Sequence, residues 1–286
     1  MTIGLSSGAS RRPSSQTLTG CGRPRETDGE ADFDAKPGAS GVSNRGAAVT
    51  AASSIDNVKS KWPIPGGADV SVVMITMNEE RAVAKVIGDI RAVLPEAEIV
   101  IVDSSRDATP DIAAALGATV IRQFPPQGYG RAMDLALRSF TRRVAVTMDC
   151  DDTYPVDFIA PMARMVLDEG YDLVDGSRLE RKPSAMPWLN YFANWGFALV
   201  ASALFARRLT DLHSGMRAYR QGLIADLGCD PSGPALPVDL ILRTLRKGYR
   251  VKSIFIPYRE RIGQSTMRPL RSAYWTAKRI LGARFS

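Results

Sequence analysis

From Val70 onward, short apolar runs alternate with stretches whose apolar residues recur every three or four positions. The runs at 70–76, 98–102, 118–122 and 144–148 have the length and the β-branched content of buried strands. The stretches between them have the periodicity of amphipathic helices. Strands that alternate with helices predict a mainly parallel sheet with crossover connections, and therefore a doubly wound α/β domain.

Turn and capping residues mark the ends of these predicted elements. Asn78 is predicted to cap the first helix, and Thr109 followed by Pro110 is predicted to begin the second. Gly117 fits the end of that second helix, and the glycine loop 127–130 opens the third.

The second half of the chain continues with fewer and weaker signals. Helices are predicted over 156–167 and 236–247, and strands over 172–175 and 251–256. Residues 210–217 form a polar cluster between apolar segments.

The N-terminal segment has a different composition. Residues 1–66 are rich in Ser, Gly, Ala, Arg and Pro and show no sustained apolar period. Such a segment cannot bury enough apolar surface to offset its chain entropy, so we predict a disordered tail. Arg11 and Arg12 are similar to a twin-arginine signal, but no apolar segment follows them.

Three aspartates, Asp149, Asp151 and Asp152, directly follow the fourth predicted strand. In open α/β sheets, ligands bind at the carboxyl ends of the strands. Two acids separated by one residue can place oxygens on a hard divalent ion while leaving positions open for phosphate oxygens. Acids are also ordinary turn residues, but this pattern indicates Mg²⁺ or Mn²⁺ bound by Asp149 and Asp151.

The loops after the other parallel strands carry further polar residues. Asn78 and Glu79 follow the first strand, Asp103 the second, and Gly130 with Arg131 the third. All of these loops leave the same edge of a parallel sheet, so we expect them to converge. Acids suit ribose hydroxyls and base edges, whereas an arginine and backbone amides suit phosphate. This edge is therefore predicted to bind a nucleotide.

Composition and charge narrow the choice of partner. The 286 residues include three scattered cysteines and a single histidine, so neither a disulfide framework nor a His-rich metal site is indicated. The cysteine usage favours a reducing compartment. A formal net charge of +7 suggests an anionic partner such as a nucleotide or a lipid headgroup. Nucleic acid is not expected, because no binding motif is found and the basic residues concentrate at the two ends.

Two segments are candidates for contact with a membrane surface. Residues 187–208 carry Trp188, Phe192 and Trp195 at helical spacing and end in two arginines, but the apolar part is too short to span a bilayer. An interfacial amphipathic helix is predicted there, with a core-packed helix as the alternative. Residues 271–286 combine basic and aromatic side chains without an acid, which predicts a basic amphipathic helix.

Six motifs follow one another between Val70 and Met267. They are residues 72–80 (a strand and an Asn-Glu turn), 101–109, 128–132, 149–155, 210–220 (Thr-Asp-Leu-His-Ser-Gly-Met-Arg-Ala-Tyr-Arg) and 261–267 (Arg-Ile-Gly-Gln-Ser-Thr-Met). In this order they resemble the family 2 inverting glycosyltransferases of the GT-A fold, and within them the polyprenyl-phosphate (dolichyl-phosphate) hexosyltransferase branch. Each motif alone is weak, whereas six in order are specific to the family.

The resemblance implies a domain organisation and a role for individual residues. A GT-A domain would cover 67–270, with a nucleotide-sugar half at 67–180 and an acceptor half at 181–270. The implied donor-binding residues are Thr76, Asn78, Glu79, Asp103, Gly130, Arg131 and Asp149. The implied metal ligands are Asp149 and Asp151, and the implied acceptor-phosphate contacts are Arg178, Ser214 and Arg217. The implied catalytic residues are Asp151, Asp211 and Arg217.

The implied reaction is inverting transfer of a hexose from a UDP- or GDP-linked sugar to a polyprenyl (undecaprenyl or dolichyl) phosphate, with Mg²⁺ or Mn²⁺. A lipid phosphate is largely dianionic at neutral pH and needs no strong base. A sugar hydroxyl would instead need Asp211 or Asp239 as general base. We expect a peripheral enzyme on the cytoplasmic, inner face of the membrane, acting alone or with a membrane-protein partner. The alternatives are a family 2 transferase for a soluble or secondary-metabolite acceptor and, more remotely, a nucleotidyltransferase.

Overall fold

Strands from both halves of the chain form one seven-stranded sheet. The computed structural model describes residues 66–262 and 269–285, so the predicted disordered tail, except for its last residue, lies outside the described part. The strands are β1 (Val70–Thr76), β2 (Glu98–Asp103), β3 (Thr119–Arg122), β4 (Val144–Thr147), β5 (Leu173–Ser177), β6 (Arg217–Arg220) and β7 (Val251–Phe255). Their order across the sheet is β3-β2-β1-β4-β6-β5-β7.

Helices cover both faces of this sheet. They are α1 (Val83–Val93), α2 (Thr109–Ala115), α3 (Tyr129–Ser139), α4 (Ile159–Leu167), α5 (Trp188–Phe205), α6 (Leu223–Leu227), α7 (Leu236–Arg246) and α8 (Pro269–Phe285), with a 3₁₀ turn at Val156–Phe158 before α4. Strand β1 is buried on both faces: Val72 and Met74 belong to the core under α1 and α4, and Val73 to the core under α3 and α7. Burial on both faces explains why its sequence is a continuous apolar run.

The direction of the strands positions the functional loops. Strands β3, β2, β1 and β4 run parallel to one another, and β5 runs parallel to β7. Only β6 is reversed, because it pairs antiparallel with both β4 and β5. The segment before β6 therefore reaches the same edge of the sheet as the segments after β4 and β5. The predicted fold class, a mainly parallel α/β sheet flanked by helices and resembling GT-A, is confirmed.

Some local predictions are corrected by the structure. The predicted capping role of Asn78 is wrong: α1 begins at Val83, after Ala82, without a side-chain cap. Thr109 is the first residue of α2 and does not cap it. Strand β6 and the short helix α6 were not predicted, because their sequences lack a recognisable apolar period.

Candidate functional site

The turns after β1 and β2 are joined by reciprocal hydrogen bonds. The Asn78 backbone has a φ of 63°, and its amide N–H donates to Ser105 Oγ at 2.8 Å. Its side-chain oxygen accepts from the Arg106 N–H at 2.9 Å, and the Glu79 N–H donates to Thr109 Oγ1 at 2.9 Å. These bonds fix the two turns against each other and hold Glu79 at the edge of the sheet.

Asp103 and Thr76 lie at the carboxyl ends of β2 and β1, as predicted, and both are buried. Thr76 Oγ1 donates to Asp103 Oδ1 at 2.7 Å, and the Ser105 hydroxyl donates to the same oxygen at 2.6 Å. Arg122 forms an ion pair with the other oxygen. Both side chains are therefore already bonded to protein groups. The contacts of Thr76 and Asp103 with a nucleotide-sugar donor stay predictions.

The residues after β4, 149–155, form a tight acidic turn that we call the acid turn. Asp151 is 1% exposed, and its Oδ1 accepts from the Thr153 hydroxyl at 2.6 Å and the Thr153 N–H at 3.2 Å. Asp152 adopts a φ of 64°, and Lys85 on α1 pairs with it at 2.8 Å. The turn thus directs Asp149 and Asp151 inward while Asp152 is bound to a helix.

Negative charge accumulates where Glu79 meets the acid turn. Burial, followed by the charges of Asp151 and Asp149, raises the pKa of Glu79 to about 7. Burial and the Asp151 charge raise the pKa of Asp149 to about 6, although Arg261 and Arg178 act in the opposite direction. A raised carboxyl pKa means that the ionised forms are under-compensated, and a bound cation would relieve this.

A divalent cation suits the acid turn only if other ligands complete its coordination. Within residues 66–262 and 269–285, no group of three or more His, Cys, Asp or Glu side chains could hold a metal ion. Asp149 and Asp151 supply two carboxylates, and the charged partner of the buried Asp151 Oδ2 in the described residues is the guanidinium of Arg261 at 2.6 Å. Mg²⁺ is commonly held by one or two carboxylates together with water and substrate phosphates. These two residues therefore fit a cation that is shared with a diphosphate.

The segment before β6 packs directly against the acid turn. The Gly215 N–H donates to Tyr154 Oη at 2.7 Å, and the Ser214 hydroxyl donates to the Gly176 carbonyl at 2.5 Å. A Cβ atom at Gly215 would lie 3.1 Å from both carboxylate oxygens of Asp149. Ser214 is buried, so its predicted phosphate contact stays a prediction. The segment 211–217 and Asp149 therefore share one boundary.

Arg178, at the end of β5, is held by Asp211 in a two-pronged ion pair. Its Nε and Nη2 donate to the two Asp211 oxygens at 2.7 and 3.0 Å, and its backbone N–H donates at 3.2 Å. Burial raises the pKa of Asp211, but the charge and hydrogen bonds of Arg178, together with His213, more than offset this, and the pKa falls to about 2. The guanidinium carbon lies 5.2 Å from the centroid of the Tyr258 ring. Asp211 is thus a permanent anion that orients Arg178.

Arg217 is placed differently from the prediction. Its side chain is fully buried, with Nε donating to Asp175 at 2.7 Å and Nη2 donating to the Leu212 carbonyl at 3.0 Å. Nη1 donates to the Pro237 carbonyl. Arg217 is 0% exposed, and its N–H groups already donate to buried protein groups. In this arrangement it has no exposed group that could contact a phosphate. It supports the loop that carries Asp211 and Ser214.

The glycine loop also shows a packing role. A Cβ atom at Gly130 would collide with the carbonyl oxygens of Pro231 and Gly233, so glycine is needed there for close backbone approach. Arg131 is exposed and lines a surface cavity of about 580 Å³, together with residues of α3 and of 230–232. The lining of this cavity does not include the acid turn. Donor contacts by Gly130 and Arg131 stay predictions.

Several site residues were not assigned a role from the sequence. The ring of Tyr258 stands edge-on to Tyr154, with centroids 5.6 Å apart. Arg261 Nε pairs with Asp151 Oδ2 at 2.6 Å. The late motif at 261–267 was the only available signal for Arg261, and residues 263–267 of that motif lie outside the described residues.

Helices α5 and α8 pack together and expose a large apolar surface, which we call the α5–α8 surface. Its exposed members on α5 and α8 are Trp188, Leu189, Phe192, Trp195, Leu199, Val200, Leu270, Tyr274, Leu281 and Phe285. Leu189 is 76% exposed and Leu270 is 89% exposed. Basic residues flank it, including Lys182, whose Nζ lies 4.8 Å from the Trp188 ring centroid. Among the described residues, no helix combines the length and apolarity that crossing a bilayer requires.

Comparison with known proteins gives a consistent result. A model of the family described as glycosyl transferase family 2 matches residues 71–228. A dolichyl-phosphate hexose transferase from Haloferax volcanii is 41% identical over 214 residues, which are 74% of this chain and 92% of that protein. An undecaprenyl-phosphate mannosyltransferase from Micrococcus luteus is 28% identical and covers 69% of this chain and 87% of its own.

Solved structures agree in fold. Glucosyl-3-phosphoglycerate synthase from Mycobacterium tuberculosis, crystallised with Mn²⁺, UDP and phosphoglyceric acid, matches with a TM-score of 0.60 at 20% identity. The match covers 82% of each chain, and at this identity it shows the fold alone. The family model spans more than half of the chain, and the Haloferax relative is similar over nearly its whole length. This chain therefore belongs to glycosyl transferase family 2.

Proposed function

We propose that this enzyme transfers a hexose from a UDP- or GDP-linked sugar to a polyprenyl phosphate with inversion, using Mg²⁺ or Mn²⁺. The observation that carries the proposal is the shared boundary of two charged regions. Asp149 of the under-compensated acid turn lies against Gly215, and the loop of Gly215 also carries Asp211, which orients Arg178. A cation-bound diphosphate and a second phosphate would meet at this boundary.

The donor is assigned to the edge formed by the turns after β1, β2 and β4. Glu79 and the acid turn form the anionic part, with Thr76, Asn78, Asp103, Gly130 and Arg131 as the further proposed donor set. Asp149 and Asp151 would hold the cation. When bound, the cation supplies positive charge that stabilises the departing nucleoside diphosphate.

The acceptor is assigned to the opposite side, beside Arg178. An arginine fork is well suited to phosphate, and Asp211 fixes the direction of this one. The guanidinium would orient the acceptor phosphate and reduce its repulsion from the donor diphosphate. Ser214 and Arg217 would act mainly by shaping the loop, because both are buried and hydrogen-bonded.

The state of the candidate bases favours an acceptor that carries its own negative charge. With a pKa of about 2, Asp211 is a weak base, and Arg178 already holds both of its oxygens. Asp239 is buried, and Arg243 donates to both of its oxygens at 3.0 Å. A phosphate monoester dianion needs neither residue, because its oxygen can attack the anomeric carbon directly. The new C–O bond forms as the bond to the nucleoside diphosphate breaks, which inverts the anomeric centre.

The names of two relatives support this choice of acceptor. The Haloferax protein is named as a dolichyl-phosphate hexose transferase and the Micrococcus protein as an undecaprenyl-phosphate mannosyltransferase. The crystallised synthase holds Mn²⁺ and UDP on the same fold.

The proposal is tested by assaying purified protein with Mg²⁺ or Mn²⁺, a panel of UDP- and GDP-hexoses, and polyprenyl phosphate. We expect glycolipid and released nucleoside diphosphate in equal amounts, both abolished by a chelator. Transfer only to a water-soluble acceptor would favour the alternative family 2 function. Transfer that is unaffected by the chelator would contradict the role of the cation.

We also propose that the α5–α8 surface holds the enzyme on the inner, cytoplasmic face of the membrane. Aromatic side chains suit the headgroup region, and flanking bases such as Arg207 and Arg208 suit anionic lipid on that leaflet. The lipid acceptor would then reach Arg178 from the same side. The variant Trp188→Ser/Phe192→Ser should lose sedimentation with anionic vesicles and keep its thermal stability, since both side chains are more than half exposed. Unchanged sedimentation would instead assign membrane attachment to another part of the chain or to a partner.

A further inference from the structure

Residues 256–262, which follow β7, run along the acid turn and are called the strap here. The Arg259 N–H donates to the Thr153 carbonyl at 3.0 Å, and the Ile262 N–H donates to the Asp151 carbonyl at 2.9 Å. The Tyr258–Tyr154 ring contact adds a side-chain anchor. The backbone of the strap is therefore held in a defined position beside the two proposed metal ligands.

One cation of the strap, Arg261, reaches a proposed metal ligand. Arg261 Nε lies 2.6 Å from Asp151 Oδ2, the carboxylate oxygen that Thr153 does not use. The Asp151 side chain is buried, whereas about a third of the Arg261 side chain is exposed, at 32%. A guanidinium stays protonated at any pH that the fold tolerates, so the Arg261 side chain always carries its positive charge. Asp151 Oδ2 therefore has a permanent positive partner when no metal is bound.

We propose that Arg261 is a resident counter-ion of Asp151, which competes with a divalent cation and moves to a phosphate oxygen when a nucleoside diphosphate binds with that cation. The inference rests on the proposed metal site and adds a positioning role for a residue of the strap. A cation that arrives alone must displace the guanidinium of Arg261 from Asp151 Oδ2. A cation that arrives with a diphosphate also brings a new anionic partner for that guanidinium.

The expected consequence is positive coupling between the two ligands. Each ligand must raise the affinity for the other by the same factor, because binding free energies are linked. Direct coordination of a cation by a diphosphate also produces coupling. The contribution of Arg261 is therefore the decrease in the coupling factor when Arg261 is replaced. The site would thereby avoid filling with a cation before the donor is present.

The experiment measures Mn²⁺ binding to the full chain by electron paramagnetic resonance, with and without UDP or GDP. It compares the wild type with Arg261→Gln and with a matched control, Arg259→Gln. Arg259 lies on the same strap and is about half exposed, and its Nη1 is 3.8 Å from Asp152. In Arg261→Gln we expect about fivefold tighter binding of Mn²⁺ alone, the size of a partly exposed ion pair, and weaker binding in the presence of the nucleotide. The coupling factor should fall by about tenfold, and Arg259→Gln should match the wild type.

The outcomes separate this inference from the proposed function. If Arg261→Gln binds Mn²⁺ alone no more tightly than the wild type, Arg261 does not compete with the cation and the inference is overturned. A purely structural strap contact would lower the melting temperature without tightening Mn²⁺ binding, which would overturn it as well. If no variant binds Mn²⁺ under any condition, both the inference and the proposed metal site fail.

Discussion

Two aspartates near the site, the partly buried Asp149 and the buried Asp211, have opposite electrostatic surroundings. Burial and the Asp151 charge raise the pKa of Asp149 to about 6. Burial also raises the pKa of Asp211, but the charge and hydrogen bonds of Arg178, together with His213, lower it to about 2. Asp211 is held by both prongs of the Arg178 guanidinium, whereas Asp149 shares the charge of Arg261 with Asp151 and Glu79. The acid turn therefore suits an added cation, while the region around Asp211 already contains one.

A second comparison separates a residue that is proposed to bind a phosphate from one that supports the loop before β6. Arg178 and Arg217 were predicted to share one role at the acceptor phosphate. The structure places Arg178 beside Tyr258 at the cleft and encloses Arg217 beneath the loop. Two arginines with similar motif signals therefore differ in what their replacement should do.

The largest expected effect is on folding. Arg217→Met leaves Asp175 buried without its partner, and breaking a buried ion pair from one side costs about 3–5 kcal/mol. Urea denaturation should show this loss of unfolding free energy. The control is Arg220→Met on the same strand, whose pair with Asp172 is partly exposed and should cost about 1 kcal/mol or less. Equal losses in the two variants would contradict the supporting role of Arg217.

A loss of catalysis without unfolding is expected at the acid turn. Asp151→Asn removes a proposed metal ligand and should lower kcat by about 10²–10³-fold, as the loss of one strong electrostatic contact does. Steady-state assays with Mn²⁺ and circular dichroism should separate activity from folding. The control is Asp152→Asn, since asparagine tolerates the left-handed backbone of that position. Normal turnover by Asp151→Asn would exclude its role in metal binding.

Selectivity for one substrate is expected on the acceptor side. Arg178→Gln should raise the KM for polyprenyl phosphate by about 10–100-fold, the value of a hydrogen bond to a charged group, and leave the donor KM within about twofold. The double variant Arg178→Gln/Asp211→Asn removes the unpaired buried carboxylate and should recover stability but not acceptor affinity. A donor KM that rises while the acceptor KM stays constant would reverse the assignment of the two sides.

The effect that is smallest at neutral pH concerns His213, which connects the loop before β6 to α8. The Thr276 hydroxyl donates to the Ser272 carbonyl at 2.9 Å, so His213 Nε2 is the donor in its 2.8 Å bond with Thr276 Oγ1. His213 Nδ1 is buried and has no hydrogen-bond partner among the described residues. Burial lowers the pKa of His213 from its ordinary value of 6.5 to about 4.

Acid should therefore destabilise the fold through this histidine. Below pH 6.5 His213 is protonated in the unfolded chain, but in the folded chain it stays neutral until about pH 4. The contribution of neutral His213 to the unfolding free energy is therefore fully present above pH 6.5 and is lost as the pH falls to about 4. The slope is at most about 1.4 kcal/mol per pH unit. The difference in unfolding free energy between wild type and His213→Gln should change over this window and stay constant above it. Parallel pH profiles would show that His213 is accessible to protons in the folded state.

Local patterns were sufficient to predict strands β1, β2 and β4 and the helices between them. Strands β1, β2 and β4 are continuous apolar runs because both of their faces are covered, and the polar residues at their ends therefore converge. Strand β6 could not be recognised in this way. It carries Arg217, whose burial depends on Asp175, a residue 42 positions earlier in the chain.

The same limitation applies to the details of the site. Asparagine is a common helix-capping residue, but the side-chain oxygen of Asn78 accepts a hydrogen bond from the Arg106 N–H in the turn after β2. Gly130 was assigned to the donor, and the contact that requires glycine there comes from Pro231 and Gly233. In both cases a partner that is distant in sequence determines what the residue does, and no local spacing contains that information.

Gly215 sets how closely Asp149 can approach the loop that positions Arg178. Because this residue has no side chain, only backbone separates the carboxylate of Asp149 from that loop. Alanine would place a methyl group within 3.1 Å of both Asp149 oxygens and move them away from the loop. In the proposed reaction, the sugar would cross a separation that a single glycine keeps as short as the backbone allows.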